Sequence, residues 1–427
     1  MPTLLTLHRQ PFAIAAFLLP FAALFQNKLL TVVLLALTVA VLILSRLRLD
    51  LRGWRPAWPI LIGLTLLLLW AFASALWSID AAHSLMRFGR LLPTVLAGIV
   101  IGFAALSVSR EQRRFVVVAV AAGMLIASLL AIFGEFVRSG GIGDPQANLI
   151  LNWIAYWHFR PFSALAAILI FPLLAAAIRG ADRALMITAI VAMAAAIFFA
   201  GASASKLALC IGLPVFLLAW RWGRPVSRIL AVTLSAAFVV LPGFVTALDL
   251  PSLLRTQGHA IHSSAAHRLV IMRFVNERVD EHPVLGWGLH TSRLLPGGGA
   301  DARIDPGYAD IMGVMSNDSA VEMELLPLHP HNASQQMRVE LGIPGVLLYA
   351  LLFGLCCIAL VRRYPDGPTL AAGGSALVAV FVIGQLSFSA WQSWWISAQL
   401  LCVCLFLAMM APRTGDAPAN DRAPEGG

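Results

Sequence analysis

Two histidines, His329 and His331, stand with Asn332 where a long polar segment gives way to an apolar run from Leu341. A neutral imidazole with a pKa of about 6.5 is suited to taking a proton from an attacking hydroxyl. At a boundary between water and lipid, such a base would join a lipid-borne substrate to a second one. Asn332 is a good helix N-cap, and Gln335 lies three places later, as in a capping box. Gln336, Arg338 and Glu340 keep the next turns polar. The plainer reading is a capping or interface histidine. Two histidines spaced by two, with no clustered carboxylates, make a poor metal site. No metal and no cofactor is expected.

Several cations have the chemistry to accompany this base. Arg268 and Arg273 fall on a short amphipathic helix expected over 265–281, and paired guanidinium groups suit bidentate binding of phosphate oxygens. Arg268 would face inward if Leu269 and Met272 contact the membrane side. Arg160 stands at the mouth of an apolar run, and Lys206 opens another after a stretch of Gly, Ala and Ser. Arg87 and Arg90 precede a third. The plainer readings are solvated helix faces and side chains snorkelling to lipid phosphate. If these cations converge with the histidine, they form an anion site, and the natural anion is a phosphate or pyrophosphate on a lipid carrier. There is no Gly-rich phosphate loop and no well-placed Asp-x-Asp pair, which disfavours a cytoplasmic nucleotide-sugar enzyme.

The elements that must position these residues are helices in a membrane. The chain is 59% hydrophobic and 12% charged, with mean hydropathy +0.84. A soluble domain has about a quarter of its residues charged. The apolar runs are continuous and not alternating, so helices and not strands cross the bilayer. About twelve spans are expected, with apolar cores near 11–25, 29–44, 59–77, 91–106, 115–136, 161–178, 185–200, 207–220, 229–248, 341–361, 370–388 and 394–411. The fold class is an all-α polytopic membrane protein with one large, partly helical periplasmic loop between spans nine and ten. The expected units are spans over 1–248, the loop over 249–340, spans over 341–411 and a disordered cytoplasmic tail over 412–427. The first run lacks a convincing cleavage site and is read as a retained span.

Charge placement sets the orientation. The net charge is +9, but the basic residues lie mostly in short loops between apolar runs, so nucleic acid is rejected as a partner. Arg clusters follow spans two, four, six, eight and ten, which places those loops in the cytoplasm. The segment 249–340 carries seven Arg, no Lys and eleven acids, the reverse bias. Within it, Pro296-Gly297-Gly298-Gly299 reads as a flexible hinge and 305–324 as irregular or weakly helical. A loop of this size with many titratable groups points to function. The five cysteines fall in apolar runs and form no disulfide or zinc pattern. Trp77, Trp391, Trp394 and Trp395 read as an interfacial aromatic belt.

The motifs resemble those of the O-antigen ligase / O-antigen polymerase superfamily. Trp77-Ser78-Ile79-Asp80 is similar to the family's Trp-Ser-x-Asp after the third span. Arg268 and then His282-Pro283-Val284-Leu285-Gly286-Trp287-Gly288 resemble its Arg…His-Pro-x-x-Gly-x-Gly segment. His331-Asn332 with Glu340-x-Gly342-x-x-Gly345 resembles its His-Asn…Glu-x-Gly-x-x-Gly signature. Where the family often has Ser-Arg, this chain has Ser205-Lys206, which keeps the charge and loses the planar fork.

The resemblance implies a glycosyltransferase of the bacterial inner membrane, acting at the periplasmic face in lipopolysaccharide biosynthesis. Its donor would be an undecaprenyl-pyrophosphate-linked glycan, and the favoured acceptor lipid A–core, as in O-antigen ligases. Polymerases and protein O-oligosaccharyltransferases of the same superfamily are the alternatives. His331 would be the base of an inverting, metal-independent transfer. Arg160, Lys206, Arg268, Arg273, His329 and Asn332 would bind the pyrophosphate or substrate. A flippase for the same lipid-linked glycan is the rival outside enzymes, but it should carry charges deep in its spans, and these span centres hold almost none.

Overall fold

The computed structural model describes residues 10–44, 57–142, 149–180, 182–247, 263–299, 301–304, 321–365 and 367–410. The basic loop 45–56, residues 248–262, residues 305–320 and the tail 411–427 lie outside them. The apolar runs form helices α1 (Pro11–Phe25), α2 (Leu29–Leu44), α3 (Trp58–Ala73), α4 (Ala81–Leu106) and α5 (Arg110–Arg138). A short α6 (Leu149–Ala155) precedes α7 (Phe159–Ile178), α8 (Arg183–Phe199), α9 (Ser203–Trp222) and α10 (Arg224–Ala247). Helix α11 (Ser263–Glu281) follows. Then come two strands, β1 (Asp301–Ile304) and β2 (Val321–Glu324), and helices α12 (Ala333–Arg363), α13 (Gly367–Leu386) and α14 (Ser393–Met409).

Among the described residues, eight helices are long and apolar enough to cross a membrane. The shorter α1, α2, α8 and α14 are apolar too. Each expected span therefore corresponds to an apolar helix, and the chain is an all-α polytopic membrane protein. The surface agrees. Val32, Val39, Ile43, Leu69, Val191, Val232 and Val240 are each more than half exposed, a density of apolar surface that suits lipid and not water.

Helix α7 is the axis of the bundle: all of it but Arg160, Leu174 and Ile178 is buried. It is apolar all round and rich in Ala, which lets neighbouring helices approach closely. It packs against α8 and α13, and α13 packs in turn against α9. Helix α12 packs against α3 and α10, and α14 against α4. The starts of α4 and α14 meet at one end of the bundle, where Arg90 and Ser393 line one cavity. The start of α12 lies beside them, with Gln336 bonded to Ser389 in the turn before α14.

Helix α11 covers that end. Ile271, Phe274 and Val275 join Trp287, Leu295, Leu326 and Val339 in a small core of their own. Met272 is buried as well, so it faces protein and not a membrane side. Strands β1 and β2 pair antiparallel, Asp301 opposite Glu324 and Ile304 opposite Val321. Residues 321–324 are thus extended, not irregular or helical as expected. Gly297–Gly299 is an ordered turn and not a hinge: Gly298 N–H donates to Leu295 O (3.0 Å) and Gly298 O accepts from Leu326 N–H (2.9 Å).

Candidate active site

His331 sits immediately before α12 with its backbone in the left-handed region (φ 54°). His290 is in the same left-handed region (φ 62°). Such a conformation costs on the order of 1–3 kcal/mol and persists where the surroundings over-determine it. Here the surroundings are explicit. Asn332 caps α12 by accepting from Gln335 N–H at 2.9 Å. The Gln335 side chain does not complete a capping box and reaches Asn276 Oδ1 on α11 instead (3.1 Å). His331 N–H donates to His329 Nδ1 at 3.1 Å, and the two ring centres stand 4.2 Å apart.

The His331 ring has a defined tautomer. Its Nδ1 lies 2.8 Å from the Ser387 carbonyl oxygen. A carbonyl only accepts, so Nδ1 carries the proton and Nε2 is left with its lone pair. Burial pushes the His331 pKa down, and the charges of Arg268, His267 and Arg160 push the same way against the opposing Ser387 contact. The ring is therefore a neutral base at pH 7. His329 is buried and held down to about 3, by burial first and then by His331, Arg293 and His290. Its contact is with the His331 backbone, a positioning role.

Among the expected site cations, the charges of Arg160 and Arg268 both reach His331. Arg268 is half-buried on α11, and burial, then the charge of Arg160, lowers its pKa. Arg160 opens α7 and is exposed. Lys206 lies in the first turn of α9, half-buried. It is at the same end of the bundle, since nearby Gly201 approaches Arg138 and Arg138 stands 5.1 Å over the ring of Phe159. Lys206 is not among the charges that act on His331 or Arg268. Arg273 is exposed and pairs with Glu277 on its own helix (3.3 Å), so it is not brought to His331.

Below the histidines, Glu340 is fully buried on α12. One carboxylate oxygen accepts from His290 N–H (2.7 Å) and Trp391 Nε1–H (2.6 Å). The other accepts from Gln336 Nε2–H (3.0 Å), Ser292 N–H (3.3 Å) and the Ser292 hydroxyl. Gln336 in turn bonds Ser389 and the Ala390 N–H. Glu340 thus ties the 282–292 loop, α12 and the turn between α13 and α14 to one point.

The backbone of α12 breaks just after it. Pro344 has no N–H to offer the Glu340 carbonyl, and Gly288 N–H fills that place at 2.8 Å. Trp287 N–H takes Val339 O (2.8 Å), and Ile343 N–H turns outward to Val284 O (3.0 Å). Gly342, at φ 65° and ψ −159°, occupies a region essentially reserved for glycine. A Cβ there would lie 1.9 Å from Val284 O. The two glycine-bearing motifs are therefore two halves of one backbone-to-backbone junction. The Trp-Ser-x-Asp motif clamps it from the other side. Trp77 Nε1–H donates to Leu285 O (3.1 Å), Ile79 N–H to Trp287 O (3.2 Å), and Asp80 caps α4. Trp77 and Trp391 thus hydrogen-bond within the site.

Known proteins are similar to this chain. The family described as O-antigen ligase matches residues 188–350. A Rickettsia conorii protein named "Putative polysaccharide ligase" is 25% identical over 352 residues, 82% of this chain and 80% of its own. A Rickettsia felis protein of the same name is 29% identical over 210 residues, 49% of this chain and 48% of its own. Over residues 188–350, then, this chain is similar to the O-antigen ligase family. The family match runs from α8 into α12 and so includes Lys206, Arg268, His329, His331 and Glu340. It leaves out Arg160, Trp391 and the Trp-Ser-x-Asp motif, which the fold brings to the same place.

Several residues of this candidate site escape a reading of the sequence. Ser387, whose carbonyl sets the His331 tautomer, sits at the end of an expected span. Gln385, Ser387 and Ser389 alternate there with apolar residues, and that alternation is the available signal. Glu340 stands out as a motif residue, yet an acid at the mouth of a span also demands a buried partner set. His290, Arg293 and His267 belong to no recognised pattern. Among the described residues, no group of three or more His, Cys, Asp or Glu could hold a metal ion.

Proposed function

We propose that this protein is an O-antigen ligase of the bacterial inner membrane. It transfers a glycan from an undecaprenyl-pyrophosphate carrier to a sugar hydroxyl of lipid A–core at the periplasmic face. The observation that carries the reading is the fixed His331 tautomer, with Nε2 unprotonated beside Arg268 and Arg160. The acceptor O–H gives its proton to Nε2 as its oxygen attacks the anomeric carbon. The bond from that carbon to the diphosphate breaks on the opposite face, so the configuration inverts. Arg160, Arg268 and Lys206 stabilise the charge arriving on the departing diphosphate, an electrostatic contribution of several kcal/mol. Diphosphate is already a good leaving group, so the reaction requires no metal in principle. Asn332 and His329 hold the histidine in place.

The test is a lipopolysaccharide gel from cells lacking the protein, complemented with wild type or His331→Ala. Core without O-chains, with full-length polymer still on the carrier, is the expected result for the deletion and for the variant. Core bearing one repeat unit would make the protein a polymerase, and an unchanged ladder would overturn the lipopolysaccharide reading. Full activity of a normally inserted His331→Ala would remove the base. Loss of activity in chelator, restored by a divalent ion, would overturn the metal-free chemistry.

A further inference from the structure

A second group of cations lies beyond the His331–His329 pair, and the transfer chemistry makes no use of it. The charges that reach His331 are Arg268, His267 and Arg160. Those that reach His290 are Arg87, His83 and Arg293. The two sets share no member, and His329 stands between them, in contact with His331 and within reach of Arg293 and His290. The second group borders a cavity of about 60 Å³ lined by Arg87, Arg90, Thr94, His290, Trp391 and Ser393. That volume holds a few waters or one tetrahedral oxyanion.

Part of the wall is fixed. Arg87 Nε–H donates to His83 Nε2 at 3.3 Å, which leaves its two terminal nitrogens for a ligand. Among the described residues, none of Arg87, Arg90 and Arg293 forms an ion pair. The neighbouring acid, Glu340, already receives five hydrogen bonds, two of them from the wall residues His290 and Trp391. An anion in this cavity would therefore sit in fixed register with α12 and its histidine.

We infer that the Arg87–Arg90 cavity binds a phosphoryl group carried by the acceptor. The inference rests on the proposed transfer reaction. In an in-line displacement the diphosphate and the attacking hydroxyl lie on opposite sides of the anomeric carbon. One cationic group serves the leaving diphosphate. A second cationic group, whose arginines are not among the charges that act on the base, belongs to the side from which the acceptor arrives. Phosphate oxygens fit the planar forks of two arginines and the hydroxyl of Ser393.

The experiment uses the full chain in detergent, with Arg87→Gln and Arg90→Gln singly and together. The acceptor glycolipid is supplied intact or after phosphatase treatment. The double variant should raise the acceptor KM at least about tenfold, the worth of one charge-assisted contact. Phosphatase treatment should do the same to wild type, and the two losses should not add. The donor KM should stay within about twofold. An acceptor KM that ignores both changes, or a donor KM that rises in step, would overturn the inference. A loss that persists on the stripped acceptor and follows the anionic phospholipid content of the micelles would assign the phosphoryl group to a lipid headgroup, and the acceptor role would fall. A readout without turnover separates this from the function itself. Line broadening of inorganic phosphate in phosphorus NMR should survive His331→Ala and weaken in the double variant. Equal broadening in wild type and double variant would refute the site even if transfer proceeds.

Discussion

Replacing Glu340 by Gln should weaken the whole end of the bundle, although the two side chains have nearly the same shape. The carboxylate accepts on both oxygens, and the amide accepts on one only. If the new NH2 faces His290 and Trp391, two N–H donors at 2.7 and 2.6 Å lose their acceptor. If it faces the other way, the Ser292 N–H and Gln336 Nε2–H lose theirs. Neither orientation satisfies both sets, and the side chain is fully buried. An orphaned buried donor costs about 1–3 kcal/mol, so the substitution should cost about 2–6 kcal/mol. That is a large share of the roughly 5–15 kcal/mol by which folded proteins are typically stable. The assay is thermal melting of the purified protein in detergent by intrinsic tryptophan fluorescence, with glycan transfer measured below the transition. A drop of several degrees is expected, with a fall in transfer that reflects displacement of the segments flanking His331. An unchanged melting point would mean that the five donors find other partners, and the account of Glu340 as the tie between three segments would be wrong.

Other perturbations test separate parts of the site. Gly342→Ala should sharply reduce the yield of monodisperse protein in fluorescence-detected size exclusion, because its Cβ would lie 1.9 Å from Val284 O. Gly89→Ala, on α4 with open space around it, should be neutral or slightly stabilising, by about 0.4–1 kcal/mol in the same melting assay. The pH profile of transfer should have its acid limb below about 6.5, the ordinary histidine value, since burial and nearby cations lower the His331 pKa. Arg160→Gln removes one of those cations, so the limb should move to higher pH; a limb that stays put would mean His331 is not the group titrating. Stability should also fall in acid. His329 and His290 are held down to about 3 and about 4 when folded, so below about pH 6.5 the unfolded chain binds more protons and folding is disfavoured. Melting midpoints at about pH 7.5 and about pH 5, on either side of that value, check this, and His329→Gln should reduce the difference between them.

The range of each force decides what a sequence can reveal. The apolar helices are legible because each needs only its own residues to satisfy its backbone in lipid. The N-cap at Asn332 is similarly local. Its capping box fails because Asn276 on α11, 59 positions away from Gln335, competes for that side chain. Arg160, Arg268 and His331 stand out as candidates by charge and chemistry, though their convergence does not; Ser387 does not stand out at all, because its contribution is a backbone carbonyl that any residue type would supply. Arg273 shares a helix with Arg268 and looks equivalent to it in sequence. Its partner Glu277, one turn away, holds it on the exposed side.

The glycines and the tryptophans look like punctuation and a membrane belt, yet several of them build the site. Pro344 removes a donor from α12, and Gly342 turns the chain so that the freed carbonyls of Val339 and Glu340 meet the N–H groups of Trp287 and Gly288. Trp70 Nε1–H donates to the carbonyl of Leu341 at 2.9 Å. The groups freed at Val339, Glu340 and Ile343 thus acquire partners from another segment, as burial demands. The same junction sets the Glu340 carboxylate against the His290 N–H, while His331 stands at the start of the helix that carries Glu340. In the proposed transfer, a rigid break of this kind serves a base that must keep Nε2 aimed while lipid-borne substrates of great length come and go. His331 and His290 both have left-handed backbones (φ 54° and 62°), one from each of the two segments that the junction joins. Backbone strain is therefore held where surrounding hydrogen bonds fix both segments, which is where it can persist.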